Sequence, residues 1–366
     1  MGPEIHRSVT TLPEQVAALD DRARDQFHEL FAVVKSRGSL VPPPEMRAWI
    51  ERSFGSVEAV QTQTIVKTLN RWTLEGSLFN DLRARRPVES KLASAAGEGT
   101  AGAGQDPFCH PLTGTPADAF GRVQGQHCVT ASNVAKYDAL HSVVIFDTHN
   151  PLTLSEEQIC DAFDTARRWL DQAHQAYPHA CYPFVMWNCL PRSGASIVHA
   201  HLQVALGEER PYARVELWRQ AANRYRQEHG RDYFESLYAA HFALGLAGRE
   251  GSVHWMAHLT PVKEKEIVLV GDAMDGAIFS LLSRMLRLFI DELGVRAYNV
   301  AVYLRPMADV HQDWSDFPVI VRLVDRGDPA SATSDVAAME LFAQPVVTFD
   351  PWKLAALVRH QFGSDA

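Results

Sequence analysis

The stretch that decides the fold is Asn188-Cys-Leu-Pro-Arg-Ser-Gly-Ala-Ser-Ile-Val-His-Ala-His-Leu-Gln203. It joins one apolar run, through a loop of small residues, to a second run in which polar and apolar residues alternate. That alternation predicts a β-strand beginning at Ile197. Side chains two apart on a strand share a face, so we expect His199, His201 and Gln203 to project together.

The loop ahead of the histidines contains Ser193, Gly194 and Ser196. Backbone N–H groups of such a loop can approach a phosphate closely, because no bulky side chain intervenes. An imidazole beside an anion-binding loop favours phosphoryl-type chemistry. An isolated H-x-H on a strand has two other interpretations: a hydrogen-bonded pair, or half of a metal site that needs about four ligands.

The flanking sequence alternates strands with single helices in an irregular order. Val143–Phe146 is a short apolar strand, and Leu154–Ala173 has the apolar spacing of an amphipathic helix with Ser155 at its start. This order is typical of an α+β protein more than of a doubly wound parallel sheet.

Two further segments differ from this pattern. Apolar residues recur at three- and four-residue steps from Val16 to Val34, which predicts a helical N-terminal extension over residues 1–60. Residues 88–105 are rich in alanine, glycine and serine and have little apolar surface to bury. Burial there cannot offset the entropy of ordering, so this run predicts a mobile loop.

The composition excludes several classes of protein. With 46% hydrophobic and 22% charged residues among 366, the chain is typical of a globular protein of two lobes. Its net charge of −9 gives no overall attraction to nucleic acid or to anionic membranes. No apolar run has membrane-spanning length and the first residues do not resemble a signal peptide, so we expect a cytoplasmic location. The five cysteines form no C-x-x-C pair, which argues against a disulfide framework.

The motif resembles the active-site signature of galactose-1-phosphate uridylyltransferases, a branch of the histidine triad superfamily in which glutamine replaces the third histidine. The resemblance extends from about Asn70 to the C-terminus. It implies two histidine-triad-like lobes, at 61–210 and 211–366, each with an antiparallel sheet flanked by helices. Arg83 and Arg86 are similar to two arginines that hold nucleotide phosphates in that family, and guanidinium groups match phosphate oxygens well.

The resemblance also implies roles for the residues of the motif. His201 would be the covalent nucleophile, and Gln203 and Ser196 would assist catalysis. The expected nucleotide- and phosphate-binding residues are Arg83, Arg86, Asn133, Asn188, Ser193, Gly194 and Gln203.

A metal site is a further implication of the resemblance. Asp106 and Cys109 are similar to the family's C-x-x-C zinc pair with one cysteine changed to aspartate, and His149 and His199 match the other two ligands. Carboxylate, thiolate and imidazole all bind zinc, so a zinc site is one interpretation of these four residues. The other is a hydrogen-bonded cluster without metal, as in some members of the family. No organic cofactor is expected.

The implied function is ping-pong nucleotidyl transfer from a UDP-sugar or another nucleoside diphosphate derivative, by a homodimer that binds neither nucleic acid nor membrane. Glu340 resembles the sugar-binding glutamate. A lysine that contacts the hexose phosphate is replaced near Thr333, and the family's second H-x-H is absent before Phe317. An adenylyltransferase or phosphorylase that uses inorganic phosphate is therefore an alternative. A non-catalytic nucleotide- or metal-binding regulatory protein is an alternative of another class.

Overall fold

A computed structural model describes residues 6–80, 82–83, 104, 106–331 and 333–363. Apart from Gly104, the predicted mobile loop at 88–105 lies outside the described residues, and so does Arg86.

Two β-sheets carry the fold. The larger has nine strands in the order β4-β5-β7-β6-β11-β12-β10-β9-β8, and the smaller has four in the order β1-β2-β3-β13. Strand pairing is antiparallel except between β3 and β13. In chain order the described strands are β1 Phe31–Ser39, β2 Thr62–Asn70, β3 Gly76–Phe79, β4 Cys128–Ser132, β5 Leu140–Phe146, β6 Ala180–Cys189, β7 His201–Glu208, β8 Ala247–Glu250, β9 Val253–Ala257, β10 Glu264–Gly271, β11 Tyr298–Tyr303, β12 Val319–Asp325 and β13 Val346–Val347.

Helices flank the sheets, which gives the α+β class that the sequence predicts. A π-helical turn, Leu288–Glu292, follows α9. No helix of the described chain combines the length and the apolar composition needed to cross a membrane. The described α-helices are α1 Leu12–Ala17, α2 Asp21–Leu30, α3 Arg47–Phe54, α4 Val57–Gln61, α5 Pro111–Gly114, α6 Glu156–Ala176, α7 Ala213–His229, α8 Tyr233–Ala243, α9 Gly276–Arg287 and α10 Pro351–Phe362.

Helix α6 forms as its sequence predicts. Ser155 is the N-cap, and its hydroxyl accepts from the N–H of Gln158 while the Gln158 side chain accepts from the N–H of Ser155. This capping box satisfies two N–H groups that the first turn leaves unpaired. The apolar face, with Phe163 and Leu170, is buried in the main core.

The N-terminal prediction of a helical extension is wrong for residues 31–39, although helices α3 and α4 follow within it. Residues 31–39 form a strand instead of continuing the helix, and every residue of β1 pairs with one of β2. The apolar spacing through Phe31 and Val34 is compatible with either structure. The long antiparallel pairing decides between them, and pairing of this kind is not visible in a local pattern.

The predicted strand around the two histidines also starts later than expected. It begins at His201, because the N–H of Ala200 donates to the carbonyl of His149 and not to a regular sheet partner. Strands of both predicted lobes join in the single nine-stranded sheet, through the pairing of β6 with β11. The boundary between the lobes stays a prediction.

A buried charge cluster ties the two sheets together. Arg322 on β12 donates to Glu75, in the turn between β2 and β3, at 2.8 Å, and to Glu266 on β10 at 2.5 Å. All three side chains are buried, and the Arg322 guanidinium lies 5.0 Å from the centre of the Trp218 ring. Pairing two carboxylates with one guanidinium is what makes this burial tolerable.

Removing the guanidinium should therefore be costly. We expect Arg322→Met to lower the free energy of unfolding by about 3–5 kcal/mol, because two buried carboxylates lose their partner. Arg214→Met is the matched control, since Arg214 contacts the same Glu75 oxygen from a half-exposed position. Its loss should cost less than about 1 kcal/mol. Urea unfolding of both variants measures the difference, and equal losses would contradict this account.

Candidate active site

The ring of His201 is held in one orientation by its own chain. Its Nδ1 lies 2.7 Å from the carbonyl oxygen of His199, so Nδ1 carries the proton and donates it. Burial lowers the pKa of His201, which keeps the imidazole neutral. In a neutral ring with a proton on Nδ1, Nε2 has a free lone pair. It has no hydrogen-bond partner within the described part of the chain.

Two side-chain amides lie on the same sheet face as His201. Gln203 is two residues along β7, and Asn188 lies on the neighbouring strand β6. The Oε1 of Gln203 lies 3.1 Å from Nε2 of His141, and the Oδ1 of Asn188 accepts from Nδ2 of Asn299 at 2.6 Å. Each amide thus has its oxygen occupied. Neither amide nitrogen has a partner among the described residues, so both can donate to a ligand.

The amide of Asn299 is itself held by charged groups from the second half of the chain. Its Oδ1 accepts from Arg326, and its Nδ2 donates to the Ser193 carbonyl at 3.0 Å as well as to Asn188. Arg326 also donates to both carboxylate oxygens of Asp335, at 2.5 and 3.2 Å. Although burial opposes it, the Arg326 contact holds the pKa of Asp335 below its usual range. A chain of oriented groups therefore runs from Asp335 to Asn188.

Four potential metal ligands converge beside His201. Nδ1 of His149 and Nδ1 of His199 are 3.1 Å apart, and Sγ of Cys109 lies 3.6 and 3.5 Å from them. Oδ2 of Asp106 lies 3.3 Å from Sγ of Cys109 and 3.4 Å from Nδ1 of His149. The structure thus brings together all four residues that the sequence predicts for a metal site. The cluster can hold a metal ion.

Neighbouring groups orient two of these four residues toward one another. Nε2 of His199 donates to the carbonyl of Phe146 at 2.8 Å, which leaves its Nδ1 unprotonated and aimed at the cluster. Asp106 accepts from the N–H of Phe108 at 2.9 Å and so starts the short turn Pro107–Cys109. The turn puts the Phe108 ring edge-on to His201, with ring centres 5.1 Å apart. The short turn therefore supplies two residues of the ligand cluster and also the ring that packs against His201.

The small-residue loop differs from the sequence-based expectation. The hydroxyl of Ser193 donates to the carbonyls of Cys189 and Leu190, at 2.7 and 2.9 Å, and the N–H groups of residues 193–195 bond within the turn. These predicted phosphate ligands instead hold the loop together. Gly194 has a φ of 100°, a left-handed conformation that favours glycine. Ser196 is exposed, and its hydroxyl has no partner in the part of the chain described.

Three other predicted residues lie outside this constellation. Arg83 is exposed and lines a mostly apolar cavity of about 440 Å³ with Trp49 and Pro43. Glu340 pairs with Lys263 at 2.5 Å and accepts from a backbone N–H of its own turn. Asn133 accepts from the N–H of Ala135, and its Nδ2 lies 3.4 Å from Nε2 of His141.

A second cavity, of about 470 Å³, adjoins the ligand cluster on the side of β4. Cys109, His127 and His199 line it, but His201 and Gln203 do not. We place the candidate reaction centre at His201, because the free imidazole nitrogen and the two amide donors lie on that face.

Sequence reasoning missed His141 and gave Asn299 no role. Both act on the site across strand pairs, Asn299 opposite Asn188 and His141 beside Gln203. The alternation of β5 puts His141 on one face with Val143 and Ile145, but nothing in the sequence gives the register with β7. The contact of Phe108 with His201 could have been anticipated, since Phe108 lies in sequence between the predicted metal ligands Asp106 and Cys109.

The comparisons concern structure alone, since no protein-family model and no curated protein matches the sequence. An ADP-glucose phosphorylase from Arabidopsis thaliana is similar with a TM-score of 0.60 and 18% identity, over 78% of this chain and 94% of that one. A GalT-like protein from the same plant has a TM-score of 0.58 and 17% identity, over 78% of this chain and 95% of that one. A uridylyltransferase has a TM-score of 0.57 and 14% identity, over 80% of this chain and 97% of that one. The predicted fold, and its resemblance to uridylyltransferases, are confirmed.

The two serines of the loop should behave differently when they are replaced. Ser193→Ala removes a buried hydroxyl that bonds two carbonyls, and we expect it to lower the free energy of unfolding by about 1 kcal/mol. Ser196→Ala should change it by less than about 0.5 kcal/mol, because the exposed hydroxyl bonds to nothing described. Thermal and urea unfolding of the pair measures this. A larger loss at Ser196 would show that the roles are reversed.

Proposed function

We propose that the protein is a nucleotidyltransferase that works by double displacement through a covalent nucleotidyl-histidine at His201. The observation that carries the proposal is the 2.7 Å hydrogen bond from Nδ1 of His201 to the His199 carbonyl. It leaves a neutral imidazole with an unprotonated Nε2 beside two amide donors. A nucleophile of this kind needs no separate base.

In the first step Nε2 of His201 attacks the α-phosphorus of a nucleoside diphosphate derivative. A P–N bond forms while the P–O bond to the distal group breaks, and that group leaves with the electron pair. The ring becomes positively charged, and its Nδ1–H stays bonded to the His199 carbonyl, which stabilises the charge. In the second step an acceptor phosphate oxygen attacks the same phosphorus and forms a P–O bond while the P–N bond to His201 breaks. The electron pair of the P–N bond returns to Nε2, and neutral His201 is restored.

The amide nitrogens supply the electrostatic part of the mechanism. Negative charge on the nonbridging oxygens of the transferring phosphoryl group must be balanced in each transition state. Gln203 and Asn188 would donate to these oxygens with N–H groups that are already oriented, so little reorganisation is needed. Glutamine cannot activate water as a base, which is consistent with transfer more than with hydrolysis. Ser196, whose exposed hydroxyl has no described partner, would make a further phosphate contact. The phosphate roles of Arg83 and Arg86 rest on the family resemblance alone.

We propose that the Asp106, Cys109, His149 and His199 cluster binds zinc. Bonds of about 2.0–2.3 Å to a tetrahedral zinc ion place ligand atoms about 3.3–3.7 Å apart. Five of the six closest approaches between these residues lie between 3.1 and 3.6 Å, and the sixth, from His199 to Asp106, is 3.8 Å. Zinc would serve as a structural ion that fixes the ring of His199. The carbonyl of the same residue holds His201, so the ion would stabilise the nucleophile's position.

The second phosphate-bearing substrate is open to two chemical classes, a hexose 1-phosphate or inorganic phosphate. The pairing of Glu340 with Lys263 favours the second class, because the predicted sugar-binding carboxylate is already engaged within its own segment. Phosphorolysis of a nucleoside diphosphate sugar, or of another activated nucleotide, is therefore the second candidate function. The experiment must also distinguish both functions from a protein that binds nucleotides without catalysing a reaction.

The test is to incubate the protein separately with α-labelled UDP-glucose, ADP-glucose, ATP and adenylylsulfate. The labelled protein is then treated with galactose 1-phosphate or with phosphate. We expect one donor to leave acid-labile label on histidine, and one acceptor to discharge it. Nucleotide binding without any labelling would favour the non-catalytic class.

The first functional prediction concerns the residue that carries the label. His201→Ala should abolish labelling and lower turnover by at least about a thousandfold, because the nucleophile is gone. His174→Ala is the control, since that ring also bonds a backbone carbonyl, at 2.8 Å, but lies on α6 outside the site. Circular dichroism checks that both variants fold. Near-wild-type turnover in His201→Ala would overturn the mechanism.

The second functional prediction concerns the metal content of the protein. Protein purified without chelator should contain about one zinc per chain, and Cys109→Ser should lower both the zinc content and the thermal midpoint, since bound metal stabilises the fold. Cys160→Ser, which changes a half-buried thiol of α6, should leave the zinc content unchanged. Atomic absorption measures the metal. Metal-free protein of full stability and activity would show that the four residues form a hydrogen-bonded cluster.

A further inference from the structure

His141 lies at the centre of a buried polar contact that the predicted signature does not include. It is fully buried on β5, on the same sheet face as Gln203, because its neighbour two residues on, Val143, pairs directly with Gln203. Its Nε2 lies 3.1 Å from Oε1 of Gln203. The ring of Tyr137 stacks on it, with centres 4.6 Å apart and planes inclined by 19°.

The proton on this ring has one available position. The backbone N–H of Tyr137 donates to Nδ1 of His141 at 2.9 Å. A backbone N–H can only donate, so Nδ1 carries no proton. Burial lowers the pKa of His141 below its ordinary value, and the nearby Lys136 lowers it further. The hydrogen bond to Gln203 and the charges of Asp138 and Asp118 oppose this shift but do not cancel it. The ring is therefore neutral, and its one proton is on Nε2.

That proton fixes the amide of Gln203. Of the two groups near Nε2, Asn133 presents its NH2 at 3.4 Å, because its own oxygen accepts from Ala135. Gln203 offers the oxygen that an N–H donor requires. With the oxygen held there, the NH2 of Gln203 points away from His141. Without this bond, the two orientations of the amide differ little in energy, and one of them turns the oxygen toward a phosphoryl group.

We propose that His141 is a positioning residue, which selects the amide orientation of Gln203 that donates to the transferring phosphoryl group. The proposal rests on the proposed function. It adds His141, on strand β5, to the groups that determine the rate. The backbone N–H of Tyr137 sets the position of the proton on His141, and that proton in turn orients Gln203.

Two substitutions distinguish the roles of the two ring nitrogens of His141. In His141→Asn, the side-chain oxygen can replace Nδ1 as acceptor for Tyr137, but nothing reaches Gln203. In His141→Gln, the longer amide can replace Nε2 as donor. We expect His141→Asn to lower the rate of nucleotidyl transfer by about ten- to a hundredfold, with less than a threefold change in the donor KM. His141→Gln should recover the rate to within a few fold.

A double-mutant cycle distinguishes positioning from a general structural role. In a Gln203→Ala background, which has no amide to orient, His141→Asn should cause no further loss of rate. The same factor of loss in both backgrounds would overturn the proposal. So would a wild-type rate in a folded His141→Asn variant.

Nuclear magnetic resonance tests the proposal without turnover. The ring nitrogens of His141 should show the tautomer with the proton on Nε2. The Gln203 side-chain amide protons should shift in His141→Asn and return toward their wild-type positions in His141→Gln. A proton on Nδ1, or a charged ring at neutral pH, would overturn the proposal even in protein that no donor labels. If these signals are as expected and no donor labels the protein, the proposed function fails while the orientation of the amide stands.

Discussion

The hydrogen bond from His201 to the carbonyl of His199 is the constraint on which the rest of the site depends. A side chain that bonds a carbonyl two residues back on its own chain cannot turn without breaking that bond. The carbonyl is fixed in turn, because the Ala200 N–H beside it bonds His149, and the His199 ring bonds Phe146. The direction of Nε2 is therefore set by backbone that leads into a nine-stranded sheet.

The same principle governs the other polar groups of the site. His199, Gln203 and Asn188 are neutral groups with two different ends, and in each the protein holds one end. The other end of His199 faces Cys109 and His149, and the other end of each amide lies on the face of His201. Holding one end in this way keeps the other end in a fixed direction, so little reorganisation is needed when a ligand or an ion binds. An arrangement of this kind suits a site that balances charge with oriented dipoles, in a protein whose own net charge is −9.

The sequence predicted what depends on local periodicity. Alternation along one strand put His201 and Gln203 on one face, and the N-cap and apolar face of α6 followed from residues within three or four positions of one another. Features that depend on the register between paired strands could not be predicted from the sequence. The helical pattern that runs to Val34 is compatible with a strand from Phe31 onward, where β2 pairs with the chain. The contact of His141 with Gln203 likewise depends on the alignment of β5 with β7. The use of Ser193 within its own turn was missed for a different reason, since a serine in a small-residue loop can bond a ligand or a carbonyl with equal ease.

The second half of the chain supports the sheet face that carries His201 and Asn188. Asp335 orients Arg326, Arg326 orients Asn299, and Asn299 holds both Asn188 and the Ser193 carbonyl. Lys263 links the same segment to Glu340, by donating to that carboxylate and to the Asp335 carbonyl. The segment that carries Arg326 and Asp335 is therefore connected, through Asn299, to the Asn188 amide beside His201. In the proposed double displacement both half-reactions use the same phosphoryl position, so a network anchored in both halves of the chain would hold the Asn188 amide in one orientation for both.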